Sequence, residues 1–366
     1  MLWEFLDLGR FLPMVETYKL LYQQRGLPVA QNRVYDTMEQ ALACPSGDVE
    51  LVQNLQTGLI FNKAFRPDLV VYDSAYQNEQ GLSSSFQTHL RNVMTIIDRG
   101  MGRRNLVEVG CGKGLFLEML LANGYEVAGF DPTYEGSNPK VQKHFFEKGV
   151  GIRAEGLILR HVLEHIADPV SFLQNLAEAN LREGRIYLEV PCFDWICKHK
   201  TWFDIFHEHV NYFRLADFDR IFGQVIESGH VFGGQYLYVA AELSSVRQPE
   251  MGESEHFIFP SDFTSGIDSC PNEESARSVV WGGASKGVIF ALLRARAGRP
   301  VDVVLDINPA KQGKFLPITG LKVETPESVL PWLPHGSRIF VMNPNYLPEI
   351  VAMTQNKFTY NCPYHE

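Results

Sequence analysis

A chain of 366 residues and 41.5 kDa exceeds what one ordinary core organises, so two or three domains are expected. Hydrophobic residues at 45% suffice to bury those cores, and no segment is biased enough in composition to read as disordered. A net charge of −10 leaves no broad basic face for a phosphate backbone, which excludes nucleic acid as the expected partner.

The six cysteines (Cys44, Cys111, Cys192, Cys197, Cys270, Cys362) are scattered without disulfide-type or zinc-type spacing, which suits a reducing, cytoplasmic setting. The stretch MLWEFLDLGRFLPMVE carries acids early and no basic n-region, so it does not read as a signal peptide. No apolar run reaches membrane-spanning length.

Residues 1 to about 80 are the least regular. Leu2 to Leu21 has a mostly helical rhythm interrupted at Pro13, and Leu51 to Phe65 reads as a strand, a turn at Thr57-Gly58 and a second strand. Tyr72 and Tyr76 come next in YDSAYQNEQGLSSS, just before a helix predicted from about Ser83 to Ile97. These tyrosines either pack a loop against the next domain or form a lid that brings a phenol to the reaction site.

The stretch Leu106 to Asp131, LVEVGCGKGLFLEMLLANGYEVAGFD, organises the middle of the chain. Leu106, Val107 and Val109 read as a short buried strand, Leu115 to Leu121 as a helix, and Tyr125 to Phe130 as a second strand closing on Asp131. Between strand and helix, Gly110, Gly112 and Gly114 let the backbone turn sharply and let a ligand approach the first helical amides. A dinucleotide fingerprint would place its third glycine one residue later. The observed acid-x-G-x-G-x-G, Glu108 to Gly114, with a second acid at Asp131, resembles the S-adenosylmethionine site of class I methyltransferases. That resemblance implies that Asp131 binds the ribose hydroxyls and that the glycine loop passes under the methionine and ribose. A nucleotide-free turn or an NAD site of variant spacing is the competing reading.

From Leu106 to about Leu243 strands and helices alternate as a doubly wound parallel sheet requires. Gly156 to Leu159 is a strand, with Arg160 and His161 at its carboxyl end, where ligands of open α/β sheets bind. His161-x-x-Glu164-His165 matches the H-x-x-E-H pattern of inverse zinc proteases, but it lies on a strand-to-helix turn rather than on a helix. A cofactor- or substrate-facing role is therefore expected, and a structural His165 is the alternative. In WFDIFHEHVNYF, His207, Glu208 and His209 stand among aromatic residues, a setting that tunes the pKa of an acid and an imidazole. The bland reading is a solvated turn beside an apolar face. No metal is expected at either place.

Residues 246 to 366 read as a second, smaller Rossmann-like unit. Val279 to Trp281 is a strand, Gly282 to Ser285 a glycine-rich turn, and Lys286 to Ala297 a helix, with further strands over Val301 to Asp306 and Arg338 to Met342. The turn and Lys286 either hold an anion such as a nucleotide diphosphate or are vestigial. Asn343-Pro344-Asn345-Tyr346 resembles the N-P-P-Y of amino-group methyltransferases, but it stands after the wrong sheet and lacks the second proline.

The ordered set VEVGCGKG, LRHVLEHIADP, FHEHVNYF, WGGASKG and DINPAKQGKFLP is similar to the sugar C-methyltransferase family across nearly the whole chain. The resemblance implies an α/β protein of three parts: a degenerate N-terminal substrate module (1–80), an S-adenosylmethionine-binding methyltransferase domain (81–245) and a C-terminal Rossmann-like substrate domain (246–366). It implies methylation at carbon of a nucleotide-linked deoxyketosugar. Glu208 and His209 fall on the pair that removes a proton beside the keto group, and the resulting enolate attacks the sulfonium methyl. Tyr76 matches the linker tyrosine near the methyl donor. Cofactor contacts are expected from Glu108, Gly110, Gly112, Gly114, Asp131, Arg160 and His161, and substrate contacts from Lys286, His207 and Tyr72.

Two departures stand out. Phe206 replaces the family's usual tyrosine, and Asn54 and Thr57 stand where a second zinc-binding cysteine pair is expected, so the N-terminal module is predicted to keep its fold without zinc. The alternatives are an O- or N-methyltransferase on another small molecule and a non-catalytic cofactor-binding scaffold.

Overall fold

The computed structural model describes residues 17–70, 81–252, 255–268 and 276–363. Tyr72, Tyr76 and Cys270 lie outside the described residues.

The first sheet is antiparallel, ordered β1-β2-β3, from β1 (Tyr18–Pro28), β2 (Ser46–Asn54) and β3 (Ile60–Asn62). The helical rhythm expected as far as Leu21 is corrected here, because Tyr18 to Leu21 open β1. The polar–apolar alternation of this edge strand lets one face pack while it pairs with β2. The turn between β2 and β3 is held without sulfur. Asn54 Oδ1 accepts the amides of Gln56 (2.8 Å) and Thr57 (3.1 Å), an Asx-type turn at the positions where the resemblance would place a cysteine pair.

The central sheet has seven strands: β4 (Leu106–Val109), β5 (Val127–Phe130), β6 (Val141–Gln142), β7 (Gly156–Arg160), β8 (Arg185–Pro191), β9 (Val225–Val231) and β10 (Tyr236–Glu242). Their order is β6-β5-β4-β7-β8-β10-β9. The first five pair in parallel, but β10 is antiparallel to both neighbours, so the sheet is mixed rather than wholly parallel. The link from β9 to β10, only residues 232–235, permits a hairpin and is too short for a crossover. Alternation sends Leu157, Leu159, Ile186 and Leu188 into one core with the helix Pro169–Ala179. Ile158 and Tyr187 enter the opposite core with the helices Ser84–Met101 and Leu115–Ala122. Ser83 caps the first of these helices by accepting the Phe86 amide, which ends the preceding segment where the sequence places the start.

The third sheet is wholly parallel, ordered β13-β12-β11-β14-β15, from β11 (Ser278–Trp281), β12 (Val303–Leu305), β13 (Val323–Glu324), β14 (Arg338–Val341) and β15 (Thr359–Asn361). One continuous apolar cluster joins Leu51 and Ile60 of the first sheet, Trp202, Phe203 and Phe206 of the aromatic run, and Val288 to Leu293 of the helix Lys286–Arg296. Trp202 stacks on Phe290 at 5.3 Å between ring centres, so the aromatic run packs between the first and third sheets. Among the described residues, no helix is long and apolar enough to cross a membrane.

Candidate active site

The carboxyl ends of β4, β7 and β8 face those of β11, β12 and β14 across one cavity of about 410 Å³. This is where open parallel sheets bind ligands, and two sheets converge on it here. Gln31 and Asn32 of the N-terminal part close one wall.

On the first side, Gly110 (φ +74°), Gly112 (φ +54°) and Gly114 (φ +84°) adopt conformations that L side chains rarely take. A Cβ on Gly110 would meet Val162 Cγ2 at 2.5 Å, whereas the space beside Gly112 is open. Asp131 holds the loop from behind, accepting the Gly112 amide (2.8 Å) through one oxygen and Thr133 through the other. Glu108 lines the cavity and is buried, and its Oε2 has no hydrogen-bond partner among the described residues. Burial, only partly opposed by Arg160, pushes its carboxyl up to about 8. An unpartnered buried carboxyl beside an open glycine loop suits a ligand carrying a cationic amino group, as S-adenosylmethionine does.

Arg160 and His161 both line the cavity, as expected, but they are anchored from below. Glu189, on β8 and fully buried, accepts from Arg160 Nη2 (2.8 Å), His161 Nε2 (3.0 Å), His89 Nε2 (3.0 Å) and the Tyr187 hydroxyl (2.8 Å). Burial opposes charge on both Glu189 and His161, yet the pairing wins. Glu189 is held well below the usual carboxylate range, and His161, also beside Glu164, is raised to about 9. Sequence reading missed Glu189, although a glutamate inside the apolar run YLEV was a visible signal of a buried partner.

His209 reaches the cavity, and Glu208 does not. Glu208 is fully buried with Oε1 accepting the Gln31 amide at 3.2 Å, so the expected catalytic pair is split between a cavity-facing imidazole and a carboxylate behind it. His207, expected to contact substrate, also lies off the cavity wall. It packs against Gly47 and Phe65, with Nδ1 donating to the Asp48 carbonyl (2.8 Å). Burial, reinforced by His165, His161 and Lys286, holds His209 well below the ordinary imidazole value, so it is neutral near pH 7.

Ligand atoms of Glu164, His165 and His209 lie within 4.8 Å of one another, a spacing that a divalent cation can bridge. Arg160, the His161 imidazolium and Lys286 line the same cavity and repel such an ion. His161, the first histidine of the H-x-x-E-H pattern, places its Nε2 on Glu189 instead.

On the opposite side, the turn Gly282 to Ser285 mirrors the first. Asp306 accepts the Gly283 amide at 2.8 Å as Asp131 accepts Gly112, and Asp306, Asn308 and Lys311 line the wall. Gly287 permits the close turn, since a Cβ there would meet the Gly282 carbonyl oxygen at 1.9 Å. Lys286 enters the cavity and is tied to Asp204 Oδ2 (2.7 Å) and Gln235 Oε1 (2.8 Å), neither singled out from sequence. Asn343 and Tyr346 of the N-P-N-Y turn line this second side.

Residues 76–225 match the family model described as a methyltransferase domain. The C-methyltransferase NovU of Streptomyces niveus is 23% identical over 314 residues, 74% of each chain. A solved S-adenosylmethionine-dependent methyltransferase from Archaeoglobus fulgidus aligns over 44% of this chain and 95% of its own, at 18% identity and TM-score 0.32. The 1,6-didemethyltoxoflavin-N1-methyltransferase of Burkholderia thailandensis, solved with bound 1,6-didemethyltoxoflavin and S-adenosylhomocysteine, aligns over 50% and 94%, at 15% identity and TM-score 0.33. Residues 76–225 are thus similar to a methyltransferase domain, and the glycine loop, the paired acids and the sheet order suit S-adenosylmethionine as the cofactor.

Proposed function

We propose that the chain methylates a carbon atom of a nucleotide-linked deoxyketosugar. The observation that carries this reading is a neutral, buried imidazole, His209, facing the cavity between the cofactor loop and a second, acid-tethered glycine turn. The cofactor supplies an electrophilic methyl group. Glu108, the glycine loop and Asp131 hold it, with Arg160 and His161 fixed beside it by Glu189.

His209 removes the proton from the carbon next to the keto group. Neutrality near pH 7 is what a general base needs, and the surrounding aromatic rings exclude water. Phe206 lies edge-on to His209 at 4.8 Å between ring centres, so orientation here comes from packing where a phenol would otherwise have donated a hydrogen bond. The second glycine turn, with Lys286 and Lys311, takes the nucleotide diphosphate. The similarity to a C-methyltransferase supports methylation at carbon. In this reading residues 1–80, 81–245 and 246–366 are a substrate module, the methyltransferase domain and a nucleotide-holding domain, acting on a small molecule in the cytoplasm.

The test is product NMR. The protein is incubated with methyl-¹³C S-adenosylmethionine and a panel of nucleoside-diphosphate ketosugars. A labelled methyl on a ring carbon supports the reading, and a methyl on oxygen or nitrogen would replace it with the O- or N-methyltransferase alternative.

A further inference from the structure

Gln31 belongs to a short segment between β1 and β2 that bridges the aromatic run and the second glycine turn. Its backbone N–H donates to Glu208 Oε1 at 3.2 Å, and its carbonyl accepts the Ser285 amide at 3.1 Å. The neighbouring Asn32 meets the Ser285 hydroxyl at 2.6 Å. Ser285 itself sits at φ +37° and ψ −102°, a conformation a non-glycine residue holds only when its surroundings impose it. The Gln31–Asn32 segment therefore pins the second glycine turn against the aromatic run.

Gln31 lines the cavity and is 1% exposed, yet its side-chain Oε1 has no hydrogen-bond partner among the described residues. A buried amide oxygen is ordinarily satisfied, because leaving it unpaired forfeits its hydration without return. Nearby wall groups have partners within the protein: Lys286 bonds Asp204 and Gln235, and Asp306 accepts the Gly283 amide. A hydrogen-bond donor on a bound ligand would satisfy this oxygen.

We propose that Gln31 is a specificity-determining acceptor-binding residue, whose side-chain carbonyl accepts a hydrogen bond from a hydroxyl group of the sugar. This rests on the ketosugar reading above. A site built to pair a ligand hydroxyl discriminates against the analogue that lacks it, because the buried oxygen is then left bare. The backbone contacts of Gln31 survive substitution, so Gln31→Leu removes the side-chain acceptor alone. Gln31→Glu keeps an acceptor oxygen.

The experiment compares wild type, Gln31→Leu and Gln31→Glu on pairs of nucleoside-diphosphate ketosugars differing by a single hydroxyl. S-adenosylhomocysteine affinity, measured by calorimetry, is the check on folding and on the cofactor site. The expected result is wild-type preference for one hydroxylated member. Gln31→Leu should raise its KM on the order of tenfold, with little change in kcat and unchanged S-adenosylhomocysteine affinity. The same variant should accept both members of that pair equally, and Gln31→Glu should restore the preference in part. Equal KM and unchanged preference in Gln31→Leu would overturn the assignment while leaving the ketosugar reading in place. Loss of S-adenosylhomocysteine binding in both variants would also overturn it, making Gln31 a folding residue. Turnover of no ketosugar by the wild type would overturn the reading and the assignment together.

Discussion

Glu189→Gln is the most informative single change, because one buried carboxylate holds two cavity-lining cations and a third group behind them. Glutamine keeps the shape and one acceptor oxygen but removes the charge facing Arg160, His161 and His89. Removing one partner of a buried ion pair costs about 3–5 kcal/mol, because the remaining charge stays desolvated. For a chain of 366 residues that corresponds to a drop in Tm of about 4–6 °C.

The same change alters pH dependence in a definite direction. His161 is raised from an ordinary 6.5 to about 9 in the folded chain, so its contribution to stability is full below pH 6.5 and is lost as pH rises through 9. The bare shift corresponds to about 3 kcal/mol, and with 27% of the His161 side chain solvent-exposed we take about 2 kcal/mol. Wild type should therefore lose about 2–3 °C of Tm between pH 6.5 and 9.5. Glu189→Gln should start lower and show a flatter slope, retaining only what Glu164, at 3.4 Å from His161, supports. Differential scanning fluorimetry at the two pH values decides it. A Glu189→Gln protein melting within about 2 °C of wild type, with the same slope, would refute the idea that this carboxylate anchors the rim.

The same geometry sets further outcomes. His209→Ala should leave S-adenosylhomocysteine affinity within twofold of wild type while lowering kcat by at least about 100-fold, measured by methyl-transfer assay. Because His209 is held well below its ordinary value, kcat should already be on its plateau at pH 6.5, and a rise through pH 6–7 would contradict a neutral base. Glu108, raised to about 8, is largely protonated at pH 7, so docking of a cationic amino group beside it should release close to one proton. Calorimetry of S-adenosylhomocysteine in buffers of different ionisation enthalpy would register that proton, and buffer-independent heat would argue against the contact. Gly110→Ala, with φ +74° and Val162 at 2.5 Å from the new Cβ, should weaken S-adenosylhomocysteine binding by at least tenfold.

What the sequence determined by itself is local and periodic. The strand–glycine turn–helix–strand unit from Leu106 to Asp131, its second, smaller counterpart at Val279 to Lys286, and the helix opening at Ser83 all come from short-range rules: φ-permissive glycines, a capping serine and apolar spacing. These rules made the cofactor loop legible without any partner strand in view. Tertiary structure decided everything that depends on which groups face which. His207, Glu208 and His209 are indistinguishable neighbours in sequence, yet consecutive side chains in this packed turn point apart, and only His209 enters the cavity. The antiparallel β10 was hidden because hydrophobic alternation carries no strand direction. The partners of Gln31 and Glu189 could not be named from sequence, since they lie 177 and 100 residues away. Long-range pairing is the information that a single pass along the chain does not contain, and in this protein it selects the cavity-facing groups.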